Sequence, residues 1–368
     1  MGTMTRRLCM PLPDDEVHDP TKAGECNRTS GLLYSSALSK CGVEEAVMWT
    51  LVGVAILGLS FITSASAAPP ADEPAWAFGF RVAEGAPGAD TLQATQPAPD
   101  DGTLQHVPGS SAAFTVTQIR DATDWFPGDH PQMPDVVAHG RKPDIRPFAL
   151  CHYPNGKGRS ENAGVSGLPY AYFVRTLADF RNGARKSTDS RKANTTWMIG
   201  FAKAMTDEEI KACAEYFGAI EWTPWIRVVE AEMVPKTRIV NGLFLALPGD
   251  GKEPIGDRII EVPENAEATE VLRDPHAGFV VYVPVGSVRK GEALVMKGGD
   301  GKTTACGVCH GPDLLGLGPV PGIAGRSPSY VVRQLFDMQQ GSRSGIWTDL
   351  MKPVVAKLTS DDMLAIAA

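Results

Sequence analysis

The chain contains one stretch twice. Counting forward from His152 and from His310, the same residue recurs at +2 (Pro154, Pro312), +20 (Tyr172, Tyr330), +23 (Arg175, Arg333), +25 (Leu177, Leu335), +27 (Asp179, Asp337), +31 (Gly183, Gly341) and +33 (Arg185, Arg343), with no gap. Self-similarity of this length means two copies of one unit, 158 residues apart, and limits the fold to one that can be laid down twice. The stretches "YFVRTLADFRNGAR" and "YVVRQLFDMQQGSR" carry apolar residues at helical spacing. Pro169 or Pro328 opens each helix, and Gly183 or Gly341 falls where a C-cap is expected. A last helix follows in each copy. Thr206 to Glu209 is a capping box before "IKACAEYF", and Thr359 to Asp362 is its counterpart before "MLAIAA". The expected fold class is mainly α.

The two histidines bring the chemistry. The first copy reads "RPFALCHYPNG" and the second "TTACGVCHGP", so Cys151-His152 is the equivalent of Cys309-His310, while Phe148 stands in the place of Cys306. Cys306-Gly307-Val308-Cys309-His310 is C-x-x-C-H, the pattern of c-type haem attachment. On one helical turn, residues i and i+3 share a face. Two thiols can then reach the two vinyl groups, and His310 offers its imidazole to the iron. A zinc half-site would need further Cys or His ligands close by, and none follows. A thioether from Met is the expected second axial ligand for an electron carrier. Met338 aligns with Phe180, a core position on the long helix, whereas Met351 lies eight residues before Thr359, as Met198 lies eight before Thr206. Met351 and Met198 are therefore the expected ligands, each in a loop leading into the last helix. Met205 aligns with Leu358 and reads as core.

For the first copy three readings stay open: haem held by one thioether at Cys151 between His152 and Met198, haem without a covalent link, or a haem-free structural unit. Phe148 can pack where the missing thioether would lie. Cys213 reads as a small buried residue. His106, His130, His139 and His276 read as surface or core residues, with His139 the reserve ligand should Met198 fail.

The remaining chain sets the context. A net charge of −8 argues against a nucleic-acid partner. Residues 1–67 read as a leader. Its uncharged segment from Val47 to Ala68 ends in Ala65-Ser66-Ala67, the small-x-small pattern of a secretory signal cleaved after Ala67, with a translation start near residue 48 expected. The rival reading is an uncleaved membrane anchor, since about 20 apolar residues span a bilayer. Residues 68–125 are rich in Pro and Ala and read as a tether. Residues 223–284 change period: "WIRVVEAEMV", "KTRIV", "LFLAL", "DRIIEV" and "GFVVYV" read as strands of a small antiparallel insert, with Asn241-Gly242 a hairpin turn. This leaves 126–222 as the first helical unit and 285–368 as the second, starting at Ser287 as an N-cap.

These residues resemble the class I c-type cytochromes, and the tandem arrangement is similar to the dihaem cytochrome c4 family. C-G-V-C-H, "GLGPVPGIAGRSPSY" and the Met before the last helix carry the resemblance. It implies two cytochrome c domains in tandem and haem c in each. It implies contacts from Cys306, Cys309, His310 and Met351, and from Cys151, His152 and Met198. It also implies electron transfer in the periplasm between redox partner proteins. Phe148 and the long β insert depart from the family pattern. Other readings are a haem peroxidase, which needs an open iron position, a cytochrome subunit of a periplasmic dehydrogenase, and a first copy that serves only for docking.

Overall fold

The computed structural model describes residues 72–80 and 100–368. The segment read as a secretory signal, its expected cleavage site and Cys9, Cys26 and Cys41 lie outside the described residues. Six helices come first: α1 (Val116–Arg120), α2 (Asp135–Ala138), α3 (Phe148–His152), α4 (Tyr170–Arg181), α5 (Ala193–Ala204) and α6 (Asp207–Gly218). A strand-rich stretch follows, with β1 (Ile226–Glu230), β2 (Met233–Pro235), β3 (Thr237–Val240), β4 (Leu243–Ala246), β5 (Lys252–Pro254), β6 (Ile260–Pro263), helix α7 (Ala266–Glu270) and β7 (Phe279–Val283). The chain then forms α8 (Ser287–Lys297), α9 (Gly307–His310), the hairpin β8 (Gly316–Leu317) and β9 (Val320–Pro321), α10 (Pro328–Gln339), α11 (Lys352–Val355) and α12 (Ser360–Ala367). The fold is mainly α. No helix among the described residues is long and apolar enough to cross a membrane.

The caps stand where the side chains can make them. Thr206 Oγ1 accepts from Glu209 N at 3.2 Å while Glu209 Oε2 accepts from Thr206 N at 2.8 Å, which satisfies two donors at the start of α6. Thr359 and Asp362 do the same for α12. Gly183 and Gly341 follow α4 and α10 with φ of 77° each, the left-handed turn that glycine makes at least cost. One cap differs from expectation. Gly286, at φ 94°, caps α8, and Ser287 is its first helical residue.

The β insert is mixed rather than antiparallel. Asn241 and Gly242, both at positive φ, close the antiparallel β3–β4 hairpin as expected. β7, however, is the middle strand of the order β1-β7-β6, antiparallel to β6 and parallel to β1. The long connection between β1 and β7 permits a parallel crossover that no short hairpin could make. A central strand is buried on both faces, which is why "FVVYV" is uniformly apolar.

The insert shares one core with the second helical unit. Ile259, Ile260, Val262 and Val281 form a single buried cluster with Val332, Phe336, Met363 and Leu364. The tether reading fails for two stretches. Trp76, Ala77 and Phe78, on a 3-10 turn from Ala75 to Phe78, are buried in that same cluster, with Phe78 edge-on to Phe336 at 6.2 Å. Val107, Ile119 and Trp125 form a separate small cluster, and Trp125 Nε1 donates to Leu272 O at 2.8 Å. A few large apolar side chains outweigh the surrounding Pro and Ala, because burial scales with apolar area.

Asp362 ties α12 to α8. It accepts from the Thr359 backbone and hydroxyl and pairs with Lys302 and Lys290. Burial opposes its charge, but the hydrogen bonds from Lys302, Thr359 and Lys290 win and hold its carboxyl well below the usual range. A depressed carboxyl pKa stabilises the fold above the unfolded value, near 4, and that contribution disappears as pH falls toward the folded value. Urea midpoints of Asp362→Asn and the parent chain should therefore converge below pH 4, with the parent ahead at pH 7. A constant gap across that range would contradict the assignment.

The two copies meet along a reciprocal seam. Arg185 donates to the Tyr330 hydroxyl at 2.9 Å, and Arg343 donates to the Tyr172 hydroxyl at 2.9 Å. Both guanidiniums also donate to Gln334 Oε1. Backbone bonds from Lys186 N to Ser342 O and from Ser344 N to Ala184 O run alongside. Burial alone would raise the Tyr172 phenol, but Arg343 and Arg185 draw it down to about 8.

Candidate functional site

In the first copy, α3 is one turn long and presents Phe148, Cys151 and His152 to a cavity. His152 is buried, and its Nδ1 lies 2.8 Å from Ala163 O. A carbonyl only accepts, so Nδ1 carries the proton and Nε2 keeps its lone pair for a metal. Burial depresses the imidazole pKa, which favours the neutral, ligating form. Burial likewise raises the Cys151 thiol.

The same arrangement recurs at α9. His310 Nδ1 lies 2.7 Å from Pro321 O, 11 residues along the chain, as Ala163 lies 11 beyond His152. Pro321 sits on β9, so that small hairpin orients the second imidazole. Cys306 is half-buried and Cys309 exposed, on the same turn as His310. No residue type marks the carbonyl partners in the sequence, since any residue can supply a carbonyl. The common spacing of 11 was the only available signal.

The residue after each histidine turns into positive φ with extended ψ. Gly311 has φ 83° and ψ 158°, and Tyr153 has φ 62° and ψ 157°. That region suits glycine almost alone, so Tyr153 stores roughly 1–3 kcal/mol of strain. Its ring is held by burial and by Arg273, stacked 5.5 Å from the ring centroid.

Around the first site the cavity has an empty volume of about 1020 Å³, counted to its open mouth. Cys151, His152 and Met198 all line it, with Phe173, Leu177, Phe180 and Phe201 giving an apolar wall. Met198 is not in a loop: it lies within α5, half-buried among the residues of the first core. Met351 ends a 3-10 turn from Ile346 to Leu350 and begins α11, packed against the second core cluster. The distance to the last helix is the same in both copies, but the conformation is not. Met205 is buried core, as expected, and so is Cys213. His130 pairs with Asp124 and His276 with Asp129, both away from the cavity lining. Among the described residues no group of three or more His, Cys, Asp or Glu could hold a metal ion by itself.

The donor set suits an iron brought in by its own macrocycle. Each copy offers one imidazole nitrogen with its lone pair free, a thiol beside it and a thioether further on, and the first adds a largely apolar cavity. A porphyrin fills the equatorial positions itself, so two axial donors are enough.

No family model matches the chain. It is 26% identical over 230 residues to the thiosulfate dehydrogenase electron acceptor of Thiomonas intermedia, covering 61% of this chain and 77% of that one. It is 33% identical over 129 residues to cytochrome c4 of Stutzerimonas stutzeri, covering 32% of this chain and 61% of the relative. It is 35% identical over 71 residues to cytochrome c-554(548) of Halomonas halodenitrificans, which is 19% of this chain but 86% of that protein. With a whole small cytochrome matched almost from end to end, and a C-x-x-C-H turn whose histidine is oriented through Nδ1, this chain belongs to the electron-carrying c-type cytochromes.

Proposed function

We propose that the protein carries electrons in the periplasm through two haem c groups held by two cytochrome c domains in tandem. The second domain would hold its haem through Cys306 and Cys309, with His310 and Met351 as axial ligands. The first would hold its haem through the single thiol of Cys151, with His152 and Met198. When bound, haem supplies a one-electron couple whose potential the axial thioether raises. The chain's own part is to fix each imidazole through the Ala163 and Pro321 carbonyls, to exclude water with the phenylalanine wall, and to hold the two units together. The observation that carries the reading is the convergence of Cys151, His152 and Met198 on one cavity, although one of the two attachment thiols is missing. Phe148 lines that cavity in the place of the thiol.

The electron donor we assign by class is a dehydrogenase, the partner that the name of the Thiomonas relative, thiosulfate dehydrogenase electron acceptor, indicates for that protein. A pyridine haemochrome assay on the protein made in a host that matures c-type cytochromes tests the reading. Two haems per chain are expected, with the pyridine spectrum of the first shifted by its one remaining vinyl group. Cys151→Ala should make one haem extractable by acid acetone and leave the other attached. One haem per chain in the unmodified protein would refute the dihaem reading.

A further inference from the structure

We propose that Lys192 anchors a propionate carboxylate of the haem in the first cavity, an inference that rests on reading that cavity as a haem site. The charged lining residues are Glu161, Arg185, Lys186, Lys192, Arg333 and Asp337, four cations against two carboxylates. Most of these charges are already engaged. Arg185 is bonded to Tyr330 and Gln334 across the seam. Arg333 donates to Ala77 O and Ser160 O. Asp337 accepts from Thr188 N, Glu161 pairs with Arg159, and Lys186 is exposed to water.

Lys192 is different. It is 4% exposed, and its Nζ has no hydrogen-bond partner. An ammonium group has three donors to satisfy, and burying it without hydrogen-bond acceptors is strongly unfavourable. Burial first, and the nearby Arg333 second, pull its pKa down to about 7 against the opposing pull of Glu161 and Asp189, so the site as it stands still disfavours the charge that the side chain brings. A buried cation of this kind calls for an anion. The cavity has the matching polarity: its apolar wall comes from α3, α4 and α5, and its charges come from Glu161, residues 185–192 and α10. Haem divides the same way, with an apolar ring and two carboxylates on one edge. A propionate would supply the missing acceptor and balance the surplus of positive charge.

The second copy has no lysine at the matching spacing. Lys192 lies six residues before Met198, and the residue six before Met351 is Gly345. The anchor therefore distinguishes the two sites, and its removal should act on one haem only.

The test is a potentiometric titration of the two-haem protein, followed by visible absorption, for the parent chain, Lys192→Met and Lys192→Arg. Removing a positive charge next to the ring favours the ferric state. Lys192→Met should therefore lower one midpoint potential and leave the other unchanged, and Lys192→Arg should restore it. Lys192→Met removes a buried ammonium that has no hydrogen-bond partner and is expected to fold. A second measurement needs no variant. The propionate bending band of the parent protein in resonance Raman should shift on transfer to D2O, because the ammonium protons exchange. Two haems with both potentials unmoved in Lys192→Met, or no isotope shift, would overturn the anchor. A single haem in the parent chain would instead refute the reading beneath it, and that result appears before any variant is compared.

Discussion

Arg333→Leu is expected to lower the unfolding free energy by about 3–5 kcal/mol, the range for removing one partner from a buried charged network. Arg333 is buried, and its guanidinium donates to the carbonyls of Ala77 and Ser160. It thereby links the 3-10 turn at 75–78, the loop after the first histidine and α10. It also faces carboxylates. Glu261 is buried on β6, where it accepts from Ser327 Oγ at 2.9 Å and Ser329 N at 3.2 Å, and burial raises its pKa against the pull of those bonds and of Arg333. Burial also pushes Asp337 up to about 6, against the pull of Thr188 and Arg333. Without the guanidinium, two carbonyls lose their donor and two carboxyl groups lose a compensating positive charge. The repeat provides the control. Arg175 holds the same position in the first copy, but it is partly exposed and pairs only with Asp179 at 3.3 Å. Arg175→Leu should cost no more than about 1 kcal/mol. Urea unfolding at pH 7 with an unchanged slope measures both, and similar costs for the two variants would contradict this account.

Gly291→Ala should destabilise the chain by about 1–3 kcal/mol, although alanine is the better helix former by about 1 kcal/mol. At Gly291 helix α8 crosses α12 so closely that an added Cβ would lie 1.9 Å from the Ala365 carbonyl oxygen and 2.8 Å from its carbon. Both are backbone atoms of a packed helix and cannot rotate away, so the helices must separate. The separation would also stretch the links from Lys290 and Lys302 to Asp362. Gly200, inside α5, has nothing within 4 Å of an added Cβ. Gly200→Ala should therefore raise the melting temperature where Gly291→Ala lowers it. Two shifts of the same sign would show that helix propensity, not the crossing, decides.

What could be read from the residues was local or duplicated. The repeat exposed the pairing of Cys151-His152 with Cys309-His310. Capping boxes at Thr206 and Thr359 and the turn at Asn241-Gly242 are built from neighbours in the chain, so their letters suffice. Pairing of β1 with β7 depends on a crossover that no short window contains. The burial of Trp76 and Phe78 depends on Phe336, far along the chain. Ala163 and Pro321 act through carbonyls, which every residue has, and Lys192 is distinguished only by the absence of a partner. Met198 lay at the right distance from the last helix, but equal spacing does not fix equal conformation: α5 holds one methionine and the end of a 3-10 turn the other.

The exchange between Tyr172 and Arg343, and between Tyr330 and Arg185, has a further consequence. Each half of the duplication displays both a phenol and a guanidinium, so each carries the full complement needed to bind a copy of itself about a dyad. Divergence is constrained accordingly. A change at one tyrosine is felt by the arginine of the opposite half, so drift at these positions must be matched across the duplication rather than within a single repeat.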